Sequence, residues 1–200
     1  MILLNSNAEH IFWLGRYLAR TQYLCSIFPF QDVDMALNYA HAFCLPAFDV
    51  DSMNELVLNA EQPASFYSQF KYAQSNIQDL RGVLSAKSYA ELSRLIRNAS
   101  DNPGYICDVV TDCQDVLESE SEDVFLFFSL GQAIEQLDRQ LRMQQEIQYT
   151  LAKIEHIVIA LVQFGWESVQ EAWLALKQQP NSQNFYHFSD HIQNMFEVAV

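Results

Sequence analysis

AEHIFWLGRYLART (Ala8–Thr21) and FFSLGQAIEQLD (Phe127–Asp138) are the two stretches on which the reading of this chain turns. Both repeat apolar residues at helical spacing, and both place a glycine directly after a leucine inside the helix. A glycine in a helix interior costs about 1 kcal/mol relative to alanine. Two of them in matched, aromatic-rich settings therefore point to close helix approach. Aligned without gaps, IFWLGRYLARTQ (Ile11–Gln22) and the second stretch set Phe12 on Phe128, Leu14 on Leu130, Gly15 on Gly131 and Leu18 on Ile134. The identities are few and amount to a weak internal repeat. The prediction is that the two helices cross near Gly15 and Gly131.

Polar residues then fall into stripes. Glu9, Trp13, Arg16 and Arg20 share one face of the first helix, at spacings of four, three and four. Glu135, Asp138 and Arg142 share a face of the second, with Arg139 four residues from Glu135. Pseudo-symmetric packing would bring Arg16 or Arg20 to Glu135 or Asp138. One reading is a semi-buried ion-pair network that fixes helix register, beside ordinary surface pairs. The other is a polar pocket between helices that binds an anionic ligand or a peptide end. The first is preferred, because ion-pair networks form without serving catalysis.

The whole chain reads as all-α: a single-domain helical bundle of roughly seven to nine helices over residues 1–200. Half of its 200 residues are apolar, 13% are aromatic, and glycine and proline number five each, which suits long helices rather than turn-rich sheets. Pro29, Pro46, Pro63, Pro103 and Pro180 fall where the periodicity breaks. The first helix is read from Ser6, with SNAE (Ser6–Glu9) as a capping box, to about Ile27. Others follow over Asp34–Leu45, Ser52–Leu58, from near Pro63, SYAELSRLIRNA (Ser88–Ala99) and PGYICDVVTDCQDVLE (Pro103–Glu118). SESE (Ser119–Glu122) reads as a second capping box opening the helix through Gly131. KIEHIVIALVQFGWESVQEAWLALKQQ (Lys153–Gln179) continues the helical pattern, and NFYHFSDHIQNMFEVA (Asn184–Ala199) closes it.

The net charge of −14 disfavours phosphate backbones and anionic bilayers, so neither nucleic acid nor a membrane is the expected partner. Cationic protein surfaces fit better, although a solvated acidic surface that aids solubility is the plainer account. Cys25, Cys44, Cys107 and Cys113 form no CxxC pair and no zinc spacing, and are read as buried free thiols in a reducing cytoplasm. MILLNSNAEH has no basic segment of a signal peptide, and IVIALV (Ile157–Val162) is too short to span a bilayer. A cytoplasmic location is the expectation.

No complete active site emerges. There is no GxSxG, no phosphate-cradling glycine loop and no Glu-x-x-His, so no catalytic residue, cofactor or metal is assigned. His187 and His191 lie four apart with Asp190 between them, a spacing that can hold a metal but that more often marks surface histidines. His156 borders an apolar face as a core-edge residue, and the run ESESED (Glu118–Asp123) suits a helix start. Trp166, Trp173, Phe185, Tyr186 and Phe188 crowd the C-terminal third, either as core or as a partner surface through which a homodimer could form.

NAEHIFWLGRYLART (Asn7–Thr21) closely resembles the opening motif of the bacterial alpha-E domain family, through Ala8, Glu9, Phe12, Trp13, Leu14, Gly15, Arg16, Tyr17, Leu18 and Arg20. Ala19 stands where that motif's paired glutamate would be. FFSLGQAIEQLD resembles the second motif and keeps Leu130, Gly131, Glu135 and Asp138, with Gln132 and Gln136 in place of its arginines. A looser likeness runs through Pro63, Ser65, Asn76, Arg81 and Ser85. One half of each Glu-Arg pair survives, Arg20 in the first copy and Glu135 in the second, and these could meet across the crossing. The resemblance implies an accessory or interaction protein of a peptide-forming or peptide-modifying system, with an ATP-grasp-like or transglutaminase-like partner. The alternative is an enzyme or small-ligand binder using Arg16, Arg20 and Glu135 in an interhelical pocket.

Overall fold

The computed structural model describes residues 3–99 and 103–197. Among the described residues the chain is all-helical, with ten α-helices: α1 (Asn5–Ile27), α2 (Val33–Ala42), α3 (Val50–Leu58), α4 (Phe66–Asp79), α5 (Ala86–Ala99), α6 (Pro103–Glu118), α7 (Glu122–Arg142), α8 (Gln148–Gln163), α9 (Val169–Gln178) and α10 (Ser182–Glu197). A single 3₁₀ turn, Leu80–Gly82, follows α4. The count exceeds the seven to nine expected. The continuous pattern from Lys153 to Gln179 is broken at Gly165, whose φ of 93° only glycine adopts freely. The Trp166 N–H there donates back to the Leu161 carbonyl at 3.0 Å, which closes α8 before α9 begins.

Two other helices close in the same way without a glycine. Cys44 after α2 and Gln144 after α7 both have φ of 54°. The Leu45 N–H reaches the Ala40 carbonyl and the Gln145 N–H the Gln140 carbonyl, each at 2.8 Å. These bonds satisfy carbonyls that the helix end leaves without partners.

Helix starts correct two of the sequence readings. α1 begins at Asn5, with the Asn7 and Ala8 N–H groups on the Leu4 carbonyl, so Ser6 lies inside the first turn and cannot be the cap. At the other proposed box, the Ser119 hydroxyl donates to the Val116 carbonyl at the end of α6, and Ser121 is the residue that precedes α7. A capping box does form at α3, between Asp49 and Ser52. α4, read as beginning near Pro63, starts at Phe66 and is capped by Ser65.

The chain divides into two compact units, with the boundary inside α1 after Arg16. The first comprises residues 1–16 and 120–200. In it α7 packs on α8 and α10, and α9 lies against α8 and α10. Phe127, Phe128, Leu130, Ile134 and Leu137 of α7 are buried. Burying each such side chain contributes about 1.5–3 kcal/mol. Trp173, Phe185 and Phe188 are also buried, and Trp166 packs edge-on against Phe127 with ring centres 4.8 Å apart. Of the C-terminal aromatics singled out in the sequence, Tyr186 reaches the surface.

The second unit comprises residues 17–119. α4, α5 and α6 pack in succession, and α3 joins α2 to α4. Its core includes Phe30, Phe66, Phe70, Ile96, Ile106, Val110 and Leu117. Cys25 and Cys107, expected as free thiols, form a disulfide with Cα atoms 5.4 Å apart. They stand 82 residues apart in sequence, a separation that carries no local spacing signal. Cys44 and Cys113 are the free cysteines among the described residues, the first exposed and the second buried. Burial, with Asp112 and Glu91 nearby, pushes the Cys113 thiol up to about 12. No helix among the described residues is long and apolar enough to cross a membrane.

Candidate functional site

The predicted crossing of α1 and α7 is present. A Cβ built at Gly15 would stand less than 3.0 Å from the Phe128 carbonyl oxygen and 3.2 Å from the Gln132 nitrogen. One built at Gly131 would stand less than 3.0 Å from the Phe12 carbonyl and 3.1 Å from the Arg16 nitrogen. Each glycine thus faces the carbonyl three residues before the other glycine and the nitrogen one residue after it. The contact has local two-fold symmetry, and backbone touches backbone. No side chain lies between the helices at that point, so any other residue would have to force them apart.

The close approach brings the polar stripes together. The Arg16 Nε donates to Glu135 Oε2 at 3.0 Å, and its Nη2 lies 3.7 Å from Asp138 Oδ2. The Arg16 guanidinium also sits 5.0 Å from the centre of the Trp13 ring. Arg16, Glu135 and Asp138 are all buried, at 7%, 4% and 8% exposure, so this is an interior pair rather than a surface one. Asp138 Oδ1 accepts from Arg142 Nε at 2.7 Å, realising the i,i+4 pair expected on α7. Arg142 Nη2 in turn donates to the Tyr186 hydroxyl of α10 at 2.8 Å. Two arginines therefore face two carboxylates in one connected network. Desolvation of such charges costs several kcal/mol each, and it is offset only where every charge is paired at good geometry.

The remaining predicted residues fall in different places. Trp13, partly buried, forms one wall of the Arg16 site and meets Phe12 edge-on at 5.8 Å. Glu9 lies half-buried one turn earlier on α1. Arg20 belongs to the second unit, where its Nη1 donates to Gln69 Oε1 at 3.3 Å. The Gln69 amide, itself buried, donates to the Pro63 carbonyl at 2.6 Å. Arg139 is directed to Gln145 at 2.7 Å.

Sequence reasoning missed Gln69, and it named Tyr186 as a C-terminal aromatic but not as the partner of Arg142. An uncharged amide on α4 and a tyrosine on α10 carry no mark of an arginine partner. It also missed a shallow groove of about 240 Å³ in the second unit, lined by Lys87, Ser88, Glu91, Asp115, Val116 and Ser119. Of the histidines considered as a metal pair, His191 makes a 2.6 Å hydrogen bond with the Ser168 carbonyl. Among the described residues no group of three or more His, Cys, Asp or Glu side chains is placed to hold a metal ion.

Comparisons of the chain with protein-family models, with curated proteins and with solved structures found no match.

Proposed function

We propose that this chain is an accessory or interaction protein of a peptide-forming or peptide-modifying system, and that the Arg16–Glu135–Asp138–Arg142 network is its internal brace. The observation that carries this reading is the pairing of buried charges at the glycine crossing. Glu135 and Asp138 are occupied by Arg16 and Arg142 at hydrogen-bond or ion-pair distance, and the Arg16 guanidinium is covered by Trp13. A site that captures an anion holds its arginine ready for that anion. Here two carboxylates and an aromatic face already take it. The kind of partner, an ATP-grasp-like or transglutaminase-like protein, comes from the resemblance of Asn7–Thr21 to the alpha-E opening motif.

The test is calorimetric titration of the purified chain against the ATP-grasp-like and transglutaminase-like proteins of the same genome, using wild type and Arg16→Met. Saturable binding to one of them, with equal affinity in a folded Arg16→Met variant, supports an accessory role with a structural network. Binding of neither protein, together with binding of short peptides that Arg16→Met abolishes, would replace it with the interhelical ligand pocket.

A further inference from the structure

Independently of the partner named above, we propose that the groove between the start of α5 and the end of α6 binds a small zwitterion, a free amino acid or a dipeptide. Lys87 and Ser88 take its carboxylate, and Asp115 takes its ammonium group. The groove lies wholly within the second unit, where the first turn of α5 faces the last turn of α6. At about 240 Å³ it is smaller than the ~300–1,000 Å³ of a site for a drug-sized ligand, so its occupant is a molecule of few heavy atoms.

Two charges line the groove without a salt bridge, one on each wall. On α5, the exposed Lys87 forms no salt bridge or side-chain hydrogen bond among the described residues, and on α6 the same holds for the exposed Asp115. Glu91, also on the α5 wall, is in a different condition. Arg94 donates to both of its oxygens, Nη2 to Oε1 at 2.5 Å and Nε to Oε2 at 3.2 Å. Those hydrogen bonds, with the charges of Arg94 and Lys87, hold the Glu91 carboxyl below its ordinary value. Arg94 and Glu91 neutralise each other, and the groove is left with one positive and one negative group. A simple anion would gain Lys87 but meet Asp115 as a like charge, and a simple cation would meet the reverse. A zwitterion satisfies both.

Ser88 adds a donor on the Lys87 side. It lines the groove and is only 6% exposed. Its Oγ accepts from Ser85 Oγ at 3.0 Å, and its own hydroxyl proton meets no acceptor among the described residues. A buried hydroxyl in that condition is a donor for a carboxylate. The helix ends act in the same sense. The start of α5 favours negative charge beside Lys87, and the end of α6 favours positive charge beside Asp115. Val116, half-buried between them, offers an apolar contact to the aliphatic part of the molecule.

The experiment is an NMR titration of the intact chain with L-alanine and, separately, with L-alanyl-L-alanine. At least one of them should give saturable shifts at the amides of residues 86–91 and 115–119, and the tighter of the two reports the spacing of the charges. The N-acetyl form of that probe lacks the ammonium group and its C-terminal amide lacks the carboxylate, and each should bind about tenfold more weakly or worse. Asp115→Asn should bind the free probe and its N-acetyl form alike, and Lys87→Met should bind the free probe and its amide alike. Both positions are exposed, so both variants should keep the circular dichroism of wild type. No saturable shift with either probe at millimolar concentration overturns the proposal, as do shifts that fall on α7 around Glu135 instead of the groove. Blocked forms that bind wild type as tightly as the free probe overturn it, and so does a preference for the free probe that survives in both variants.

Discussion

Alanine at Gly131 would place a methyl group against the Phe12 carbonyl at less than 3.0 Å, with the Phe12 carbonyl carbon at 2.9 Å and the Arg16 nitrogen at 3.1 Å. All three neighbours are backbone atoms of α1, so no side chain can swing aside. The helices must separate instead. Overpacking of this kind costs about 1–3 kcal/mol, and the upper end applies where the wall is backbone. Alanine's better helix propensity returns about 1 kcal/mol. The net loss is about 2 kcal/mol, which for a chain of this size lowers the melting temperature by about 4–8 °C. Separation of the helices also stretches the 3.0 Å Arg16–Glu135 bond, so the loss should shrink when that pair has already been removed. Gly15→Ala presses on the same crossing from the other side, and the double variant should lose less than the sum of the two, because one displacement relieves both clashes. Gly82→Ala is the control: nothing lies within 4 Å of its added Cβ, and it should melt within about 2 °C of wild type. Thermal melts followed by circular dichroism decide the matter. A Gly131→Ala variant as stable as Gly82→Ala would refute the claim that the helices meet backbone to backbone.

Two further outcomes follow from titrating groups. Cys113 ionises in the folded chain only near 12, above its ordinary value of 9.0, so its contribution to stability is complete below 9 and is lost as pH rises towards 12. The alkaline fall in unfolding free energy should therefore be shallower in Cys113→Ala, measured by urea unfolding across that range. Asp49 is held below the ordinary carboxylate value by hydrogen bonds from Ser52, side chain first and backbone second, so the stabilising charge is present above that value and is lost as pH falls through the depressed one. Ser52→Ala should move the Asp49 titration, followed by carboxyl carbon NMR, back up towards 3.8, and an unmoved titration would remove the capping box as its cause.

Much of the architecture was legible because it is written locally. Apolar spacing and the five prolines place most helices, and the paired Leu-Gly steps locate the crossing. What escaped was of two kinds. The end of α2 was misread because Cys44 takes the left-handed conformation that glycine usually supplies, and helix starts were misread because serines near a start compete for the capping role, as Ser119 and Ser121 do. Long-range partnerships were invisible for a different reason. Cys25 and Cys107 lie in ordinary helical settings 82 residues apart, and nothing in either setting names the other. The Arg16–Glu135 pair was recoverable only because the glycine alignment supplied a register, whereas Gln69 and Tyr186 had no such guide. The disulfide also removes one ground for expecting a reducing compartment, since that expectation rested on four free thiols.

The claim on which the account rests is that Arg16 and Glu135 stabilise the fold through each other. The direct measurement is a double-mutant cycle on unfolding free energy with Arg16→Met, Glu135→Gln and the double variant. Loss of one partner from a buried pair leaves the other charge uncompensated and should cost about 3–5 kcal/mol. The double variant should recover much of that, with a coupling energy of about 2 kcal/mol or more. Additive losses with coupling near zero, or an Arg16→Met variant as stable as wild type, would contradict the brace and return Arg16 to the role of a ligand-binding residue.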